Sequence, residues 1–301
     1  MSRITVFTPT YNRAYCLGNC YESLKRQTCK DFEWLIVDDG STDQTEDLVA
    51  KWQAETNDFK IRYRYKSNGG LHTAYNEAIA NTESELCMCV DSDDCVPETA
   101  IERILVFWDE RGSDAVAGIV GLDYTVEGEL IGDPLPEEPT INLIDLLTGK
   151  YRIHNGDRTL VLRTVLYKKV APMKVFAGEK NFNPHYMHLQ ISQLFDFLVL
   201  NESLKIVNYQ ADGMSANLFQ QYYNSPKSFA ETRKLYLGFP NTSVKFRFRH
   251  AIHYVSSSLI SRNICFLKEV SCKCLVILAI PFGVLLTAVI YWKNSQKRRM
   301  L

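Results

Sequence analysis

Asp91-Ser92-Asp93-Asp94 places three carboxylates within four positions. Carboxylates this close repel one another unless a cation or hydrogen bonds compensate. Hard oxygen ligands of this kind suit Mg2+ or Mn2+, so Asp91, Asp93 and Asp94 are candidate metal ligands. A metal held there can bridge the oxygens of a diphosphate and act as a Lewis acid on a leaving group. The same string also suits a turn with an Asp-rich helix cap; the apolar run leading into it favours the metal. Asp38-Asp39-Gly40-Ser41 is a second cluster. A carboxylate at a strand end accepts a hydrogen bond from a base N–H or a ribose hydroxyl, and a turn plus cap is the plainer alternative. Asn68-Gly69-Gly70-Leu71-His72 is a third. Its glycines let the backbone turn sharply or approach a ligand. A helix opening near Leu71 can turn its N-terminus to phosphate. His72 either faces that ligand or serves the structure. Neither a Gly-Lys-Ser/Thr phosphate loop nor a GxGxxG fingerprint occurs.

Each cluster needs an element to position it. Ile4 to Thr8, Phe32 to Val37, Ile61 to Tyr65, Leu86 to Val90 and Ala115 to Val120 read as strands, and Leu86 to Val90 is apolar enough to be buried on both faces. Between them, Leu17, Cys20, Tyr21 and Leu24 recur at helical spacing, as do Leu71, Ala74, Tyr75, Ala78 and Ile79. Ser41 and Gln44 offer a capping box for a helix burying Leu48, Val49 and Trp52. Pro97 suits the first turn of a helix carrying Ile101, Ile104, Leu105 and Trp108. Repeated β-α-β units with buried strands imply an α/β fold with a mostly parallel sheet and helices on both faces. Ligands of such sheets sit beyond the carboxyl ends of the strands. Thr8–Asn12, Asp38–Ser41 and Asp91–Asp94 each follow a strand, so three strands deliver polar groups to one edge. From Asp123 the pattern is irregular. Gly128 and Gly132 suggest a hairpin, and Pro134, Pro136 and Pro139 a loop.

The chain has 301 residues and a net charge of −1, unevenly spread. From Ser243 to Leu301 there are ten Lys/Arg and one acidic residue, Glu269; the preceding part holds 24 basic and 34 acidic residues. The acidic head argues against a nucleic-acid partner. The basic, apolar tail suggests a membrane surface with anionic headgroups. Nine cysteines without CxxC spacing read as buried free thiols in a reducing cytosol. The N-terminus lacks the apolar stretch of a signal peptide, so the head is expected in the cytoplasm. Cys274 to Trp292 carries no charge, and nineteen helical residues reach about 28 Å at ~1.5 Å each, near the thickness of a bilayer core. One crossing would export Lys293, Lys297, Arg298 and Arg299, against the positive-inside tendency. With Pro281 and Gly283 at mid-run, a re-entrant or interfacial segment with both ends cytoplasmic is expected.

The strings TPTYNR, FEWLIVDDGSTD, NGG with Tyr75-Asn76-Glu77-Ala78, and VDSDD with Pro97 occur in order over residues 3–110. In sequence and spacing they resemble the family 2 glycosyltransferases of GT-A fold. The resemblance implies a Rossmann-like, mixed but mostly parallel sheet flanked by helices, followed here by a helical membrane-associated tail. It implies inverting transfer from a nucleotide-diphosphate sugar, most often a UDP-sugar, with Mn2+ or Mg2+. Carried over by position, Thr8, Pro9, Tyr11 and Asp39 line the nucleoside pocket, with Asp39 on the base; Asn68, Gly69, Gly70 and His72 join them as donor-side candidates on the residue chemistry given above. Asp91 and Asp93 form the DxD element on ribose and metal, with Asp94 beside them. Asn155-Gly156-Asp157-Arg158 and Gly178-Glu179-Lys180 resemble acceptor-side segments. Inversion needs a general base opposite the departing diphosphate; Glu179 is the first candidate and Asp157 the second. Many members carry Glu-Asp where this chain has Glu179-Lys180.

The expected organisation is a GT-A domain over 1–242, divided into a nucleotide-sugar half (1–122) and an acceptor half (123–242), then the tail 243–301. A transferase held at the cytoplasmic face of the inner or plasma membrane suggests a glycan acceptor on a polyprenyl diphosphate, for surface polysaccharide. Two other functions fit a metal-carboxylate sheet edge: a sugar-nucleotide nucleotidyltransferase and a non-catalytic nucleotide-binding module. The first usually shows a Gly-rich basic loop after strand one, where this chain reads TPTYNRAYCLG.

Overall fold

The computed structural model describes residues 2–154, 156–210 and 218–300. Eight strands form one sheet: β1 (Ile4–Thr10), β2 (Phe32–Asp38), β3 (Lys60–Tyr65), β4 (Leu86–Cys89), β5 (Val116–Thr125), β6 (Thr140–Ile141), β7 (Arg158–Arg163) and β8 (Asp196–Val207). Their order is β3-β2-β1-β4-β7-β5-β8-β6. β3, β2, β1 and β4 are mutually parallel. β7 runs antiparallel between β4 and β5, β8 is parallel to β5, and β6 antiparallel to β8. The parallel half is the half whose strands the sequence marks most clearly.

The helices are α1 (Ala14–Lys25), α2 (Thr45–Glu55), α3 (Leu71–Ala80), α4 (Ala100–Arg111), α5 (Leu143–Thr148), α6 (Thr164–Val170), α7 (His185–Ser192), α8 (Leu218–Asn224), α9 (Pro226–Gly238), α10 (Val244–Ile260) and α11 (Lys273–Met300). Successive strand residues point to opposite faces. Ile4 and Val6 of β1 and Trp34 and Ile36 of β2 therefore share one face, where α1, α2 and α4 pack on them. Tyr21 stacks on Trp52 at 4.4 Å between ring centres, and Trp34 lies 5.8 Å from Trp52. The other face of β1 carries Phe7, whose ring meets Tyr75 of α3 edge-on at 5.1 Å. Helices thus cover both faces.

Two local expectations differ. α2 begins at Thr45 with no side-chain cap from Gln44; Asp43 Oδ1 instead accepts the Thr45 amide at 3.2 Å. α4 begins at Ala100, so Pro97 lies in the turn before it. The hairpin after β5 does form: the Gly128 amide donates to Thr125 and Tyr124 bridges Leu130. The nine cysteines are free; Cys16, Cys20 and Cys87 are buried, whereas Cys265 and Cys274 are exposed.

The chain divides into two compact units. The first comprises Met1–Met173 with Met187–Gln210 and holds the sheet. The second comprises Lys174–Tyr186 with Ala211–Leu301, so the breaks fall at 174, 187 and 211 rather than at 243. In the second unit α9, α10 and α11 enclose a core of Ala230, Leu237, Ala251, Tyr254, Val255, Val276 and Ala279. α11 runs unbroken past Pro281, so of the two forms expected for this segment the re-entrant one is absent.

Candidate active site

Parallel register aligns the carboxyl ends of three strands: Thr10 of β1 lies beside Asp38 of β2, and Phe7 beside Cys89 of β4. The loops that follow are laced together. Asn12, held at φ 52°, donates its amide to Ser41 Oγ at 2.8 Å and accepts the Thr42 amide at 2.8 Å. Arg13 reaches the other way, to Asp93 Oδ2 at 3.9 Å. The three polar clusters therefore meet at one rim of the first unit.

The second cluster is built around Asp39. Its Oδ1 accepts from Lys66 Nζ (2.5 Å), the Gly69 amide (2.9 Å) and Thr73 Oγ1 (3.4 Å). Its Oδ2 accepts from the Gly70 amide (2.7 Å) and Asn68 Nδ2 (3.1 Å). The loop needs its glycines. Gly70 sits at φ 95°, and at Gly40, φ 85°, a Cβ would fall 2.7 Å from the Asn68 amide nitrogen. This corrects two expectations. The Gly69 and Gly70 amides are turned onto Asp39 rather than onto a phosphate. His72 is fully buried in α3 and does not face a ligand. Asp38 is buried beside them, accepting from Tyr63 Oη at 2.6 Å and the Ser41 amide at 2.7 Å.

Of the residues carried over to the nucleoside pocket, only Tyr11 is open, 48% exposed in the loop after β1. Thr8 is buried, and its hydroxyl accepts the indole N–H of Trp34 at 2.9 Å. Pro9 is buried within β1 beside Val37. Both are strand residues of the rim's foundation, which corrects their assignment as lining groups.

The three aspartates after β4 have separate fates. Asp94 is buried; its Oδ1 accepts the Asn208 amide at 3.0 Å and its Oδ2 lies 3.3 Å from Lys205 Nζ. The same ammonium lies 3.5 Å from Asp123 Oδ2 and 3.9 Å from Asp91 Oδ2. Asp123 is fully buried in β5, its other oxygen accepting from Thr159 Oγ1 at 2.6 Å. Burial pushes the Asp94 carboxyl up to about 7 against the pull of Lys205, and burial raises Asp123 as well. Burial opposes the charge on Lys205, but Asp123, Asp91 and Asp94 together hold its proton far more tightly than usual. Asp93 is raised by burial and then by the charge of Asp91.

Asp91 and Asp93 thus keep open carboxylates, with side chains 47% and 21% exposed. Asp94 is spent on Lys205 and Asn208, which corrects its assignment as a metal ligand. Among the described residues no three His, Cys, Asp or Glu side chains gather as a metal-holding group. Two carboxylates, of which Asp93 is raised by burial and by the charge of its neighbour, still fit a divalent cation whose other positions are filled by a ligand.

On the acceptor side, Asp157 is exposed and accepts from Tyr209 Oη at 2.8 Å. Its neighbour Asn155 lies outside the described residues. Glu179 belongs to the second unit and is buried. Its carboxylate accepts from the Lys227 amide (2.8 Å), the Ser228 amide (2.8 Å) and Ser228 Oγ (2.7 Å), at the start of α9. A carboxylate so engaged at a helix N-terminus anchors that helix, which removes Glu179 from first place as a base. A small cavity of about 80 Å3 adjoins Asp91, Arg158 and Lys205. A larger cleft, about 590 Å3, lies at the opposite strand ends among Glu85, Asp114 and Arg163, away from these groups.

Residues 5–168 match the family described as Glycosyl transferase family 2. The chain belongs to that family. It is similar, at 33% identity over 244 residues, to the poly(ribitol-phosphate) beta-N-acetylglucosaminyltransferase TarS of Staphylococcus aureus, covering 78% of this chain and 40% of TarS. The chain spans about 40% of the length of the curated relatives it matches first. A crystal structure of TarS residues 1–349 with UDP-GlcNAc superposes with a TM-score of 0.61 at 21% identity, covering 93% of this chain and 79% of that one. The mannosyltransferase PcManGT of Pyrobaculum calidifontis, solved with GDP-Man and Mn2+, gives 0.55 at 15% identity, over 94% and 87%. These likenesses establish the GT-A fold of this family 2 member.

Sequence reasoning missed Lys205, Asp123, Lys66 and Asn208. A charged residue at the end of the apolar run Val116 to Leu122 is a legible signal for Asp123. Lys205, in the mixed string SLKIV, carries none.

Proposed function

We propose that this protein is an inverting glycosyltransferase that moves a sugar from a UDP-sugar to a hydroxyl of a glycan acceptor. The observation that carries the reading is the shared rim: Asp91 and Asp93 open after β4, linked through Arg13 and Asn12 to the loop after β2. TarS, one of the relatives, is named for a sugar transfer, and its solved complex holds UDP-GlcNAc.

Asp91 and Asp93 would hold Mg2+ or Mn2+; when bound, such an ion supplies Lewis-acid charge to the diphosphate oxygens. Arg13, beside Asp93, adds a fixed positive charge at the same place. Lys205 restrains Asp91 from behind. Tyr11 offers a ring to the base, while Asp39 shapes the nucleoside wall through the loop it gathers. A base that bonds Asp39 directly must displace Asn68 or Lys66. Asp157, the candidate that is still exposed, takes the proton from the acceptor hydroxyl. Tyr209 orients its carboxylate. The acceptor we favour is a glycan on polyprenyl diphosphate at the cytoplasmic face of the membrane, for which the apolar basic tail is the support.

The purified full chain, incubated with single UDP-sugars, Mn2+ and membrane extract, should release UDP and label lipid-extractable material with one donor. Pyrophosphate release from UTP and a sugar 1-phosphate would support nucleotidyl transfer instead. UDP binding without turnover on any donor would leave only a binding module.

A further inference from the structure

The second unit carries a surface that the transfer reaction does not explain. α11 has two unlike sides. Val276, Ala279, Gly283 and Ile290 form a buried stripe at helical spacing. That stripe is seated on α10 and α8. At Gly283 a Cβ would fall 2.5 Å from Val255 Cγ1 of α10, so only glycine permits the approach. Phe248 of α10 meets Phe282 at 5.6 Å, and Thr287 Oγ1 bonds Ser256 Oγ at 3.0 Å. Further along, Tyr223 of α8 meets Tyr291 at 5.3 Å, and Asn294 Nδ2 donates to the Phe219 carbonyl at 3.1 Å.

The opposite side is bare and apolar. Ile277, Leu278, Leu285 and Trp292 are each more than half exposed. No charge interrupts the run from Cys274 to Trp292, while Lys273 and Lys293 bracket it. A contiguous apolar side of this kind marks a membrane or partner surface. We propose that α11 docks the protein on an anionic lipid bilayer by lying in the membrane plane, its bare side immersed and its stripe held by α10 and α8.

Charge complementarity selects the occupant. The one acidic residue beyond Ser243, Glu269, is already bound by Lys234 at 3.0 Å and Asn263 at 2.8 Å, against ten Lys/Arg. Headgroup phosphates suit that excess. Packing selects the orientation. The helix is apolar and long enough to cross, over Lys273–Gln296. However, α10 lies alongside it and carries Lys245, Arg247 and Arg249. A crossing would draw these cations toward hydrocarbon, at a large cost for each.

This deepens only the membrane clause of the proposed function and stands apart from the transfer chemistry. The test is flotation of the full chain with phosphatidylcholine vesicles, with and without phosphatidylglycerol. Binding should require the anionic lipid, weaken with salt, and fall more than roughly tenfold in Leu278→Glu/Leu285→Glu. UDP release with a water-soluble acceptor should stay unchanged in that variant, which separates a failed membrane face from a failed enzyme. Alkaline carbonate should release the bound protein, and a protease outside sealed vesicles should reach both ends of α11. Resistance to carbonate with one end protected means a crossing and overturns the proposal. Equal binding to neutral vesicles, or a dimer in solution that the double variant dissolves, overturns it too.

Discussion

The two units each bury a polar cluster, and the clusters differ in kind. The first hides Asp94 and Asp123 around a buried ammonium, so its interior is ionic and compensated. The second hides neutral imidazoles beside arginines: Arg233 Nη1 lies 3.0 Å from His250 Nδ1, and Tyr236 and Phe246 close over the ring. A compensated cluster fixes the direction of open neighbours such as Asp91. A desolvated neutral ring fixes only packing. The proposed chemistry is therefore sought in the first unit, and the proposed membrane contact in the second.

Asp93→Asn would break the contrast most sharply. Losing one of two open carboxylates should cut UDP release at least roughly a thousandfold, with little change in melting temperature; near-normal turnover would put the active rim elsewhere. Lys205→Met should come next. It leaves buried carboxylates without their cation and should cost about 3 kcal/mol of stability in denaturant melts. Lys205→Arg should recover part of that loss, whereas a Met variant as stable as the parent contradicts the ionic description.

Glu179→Gln and Asp157→Asn test which unit supplies the base. The first should lower stability by about 1–2 kcal/mol, through weakened bonds to α9, and keep transfer. The second should keep UDP binding and stability and lose transfer. The reverse pattern would return the base to Glu179.

The most gradual effect is set by pH. Burial, then the charge of Arg233, lowers His250 to about 3, and burial lowers His253 to about 4. Their folded values lie below the unfolded one, so their contribution is complete above about pH 6.5 and is lost as pH falls toward 4. For His250 this amounts to about 1.4 kcal/mol per pH unit. Phe246→Trp fluorescence should show the second unit loosening on acidification before the first; simultaneous loss would mean the two do not differ in this respect.

What the sequence reveals follows the same division. β1 to β4 and their helices were legible because each buries a regular stripe against near neighbours in the chain. β7 and β8 were not: RTLVLR and DFLVLNESLKIV mix polar and apolar positions, and β8 pairs with β5 through irregular register. Asp91 and Asp93 could be read as open ligands, yet nothing local distinguishes Asp94 from them. Its partners, Lys205 and Asn208, lie more than a hundred residues away. Glu179 was misread for the same reason, since the amides it binds belong to Lys227 and Ser228. Asp39 was legible as a strand-end carboxylate, but not the five donors closing on it.

The irregular pairing of β8 has a consequence of its own. Leu200 lies beside Gly121, Ser203 beside Leu122 and Lys205 beside Asp123, so three residues and then two on β8 advance against single steps on β5. That extra length brings the lysine abreast of its aspartate. One residue deleted between Leu200 and Lys205 would swing the side chain to the far surface of the sheet and strip the rim of its counterion. The far margin of the sheet is thus the ruler against which the donor side is set, and shortening it by a single residue should silence the rim without touching it.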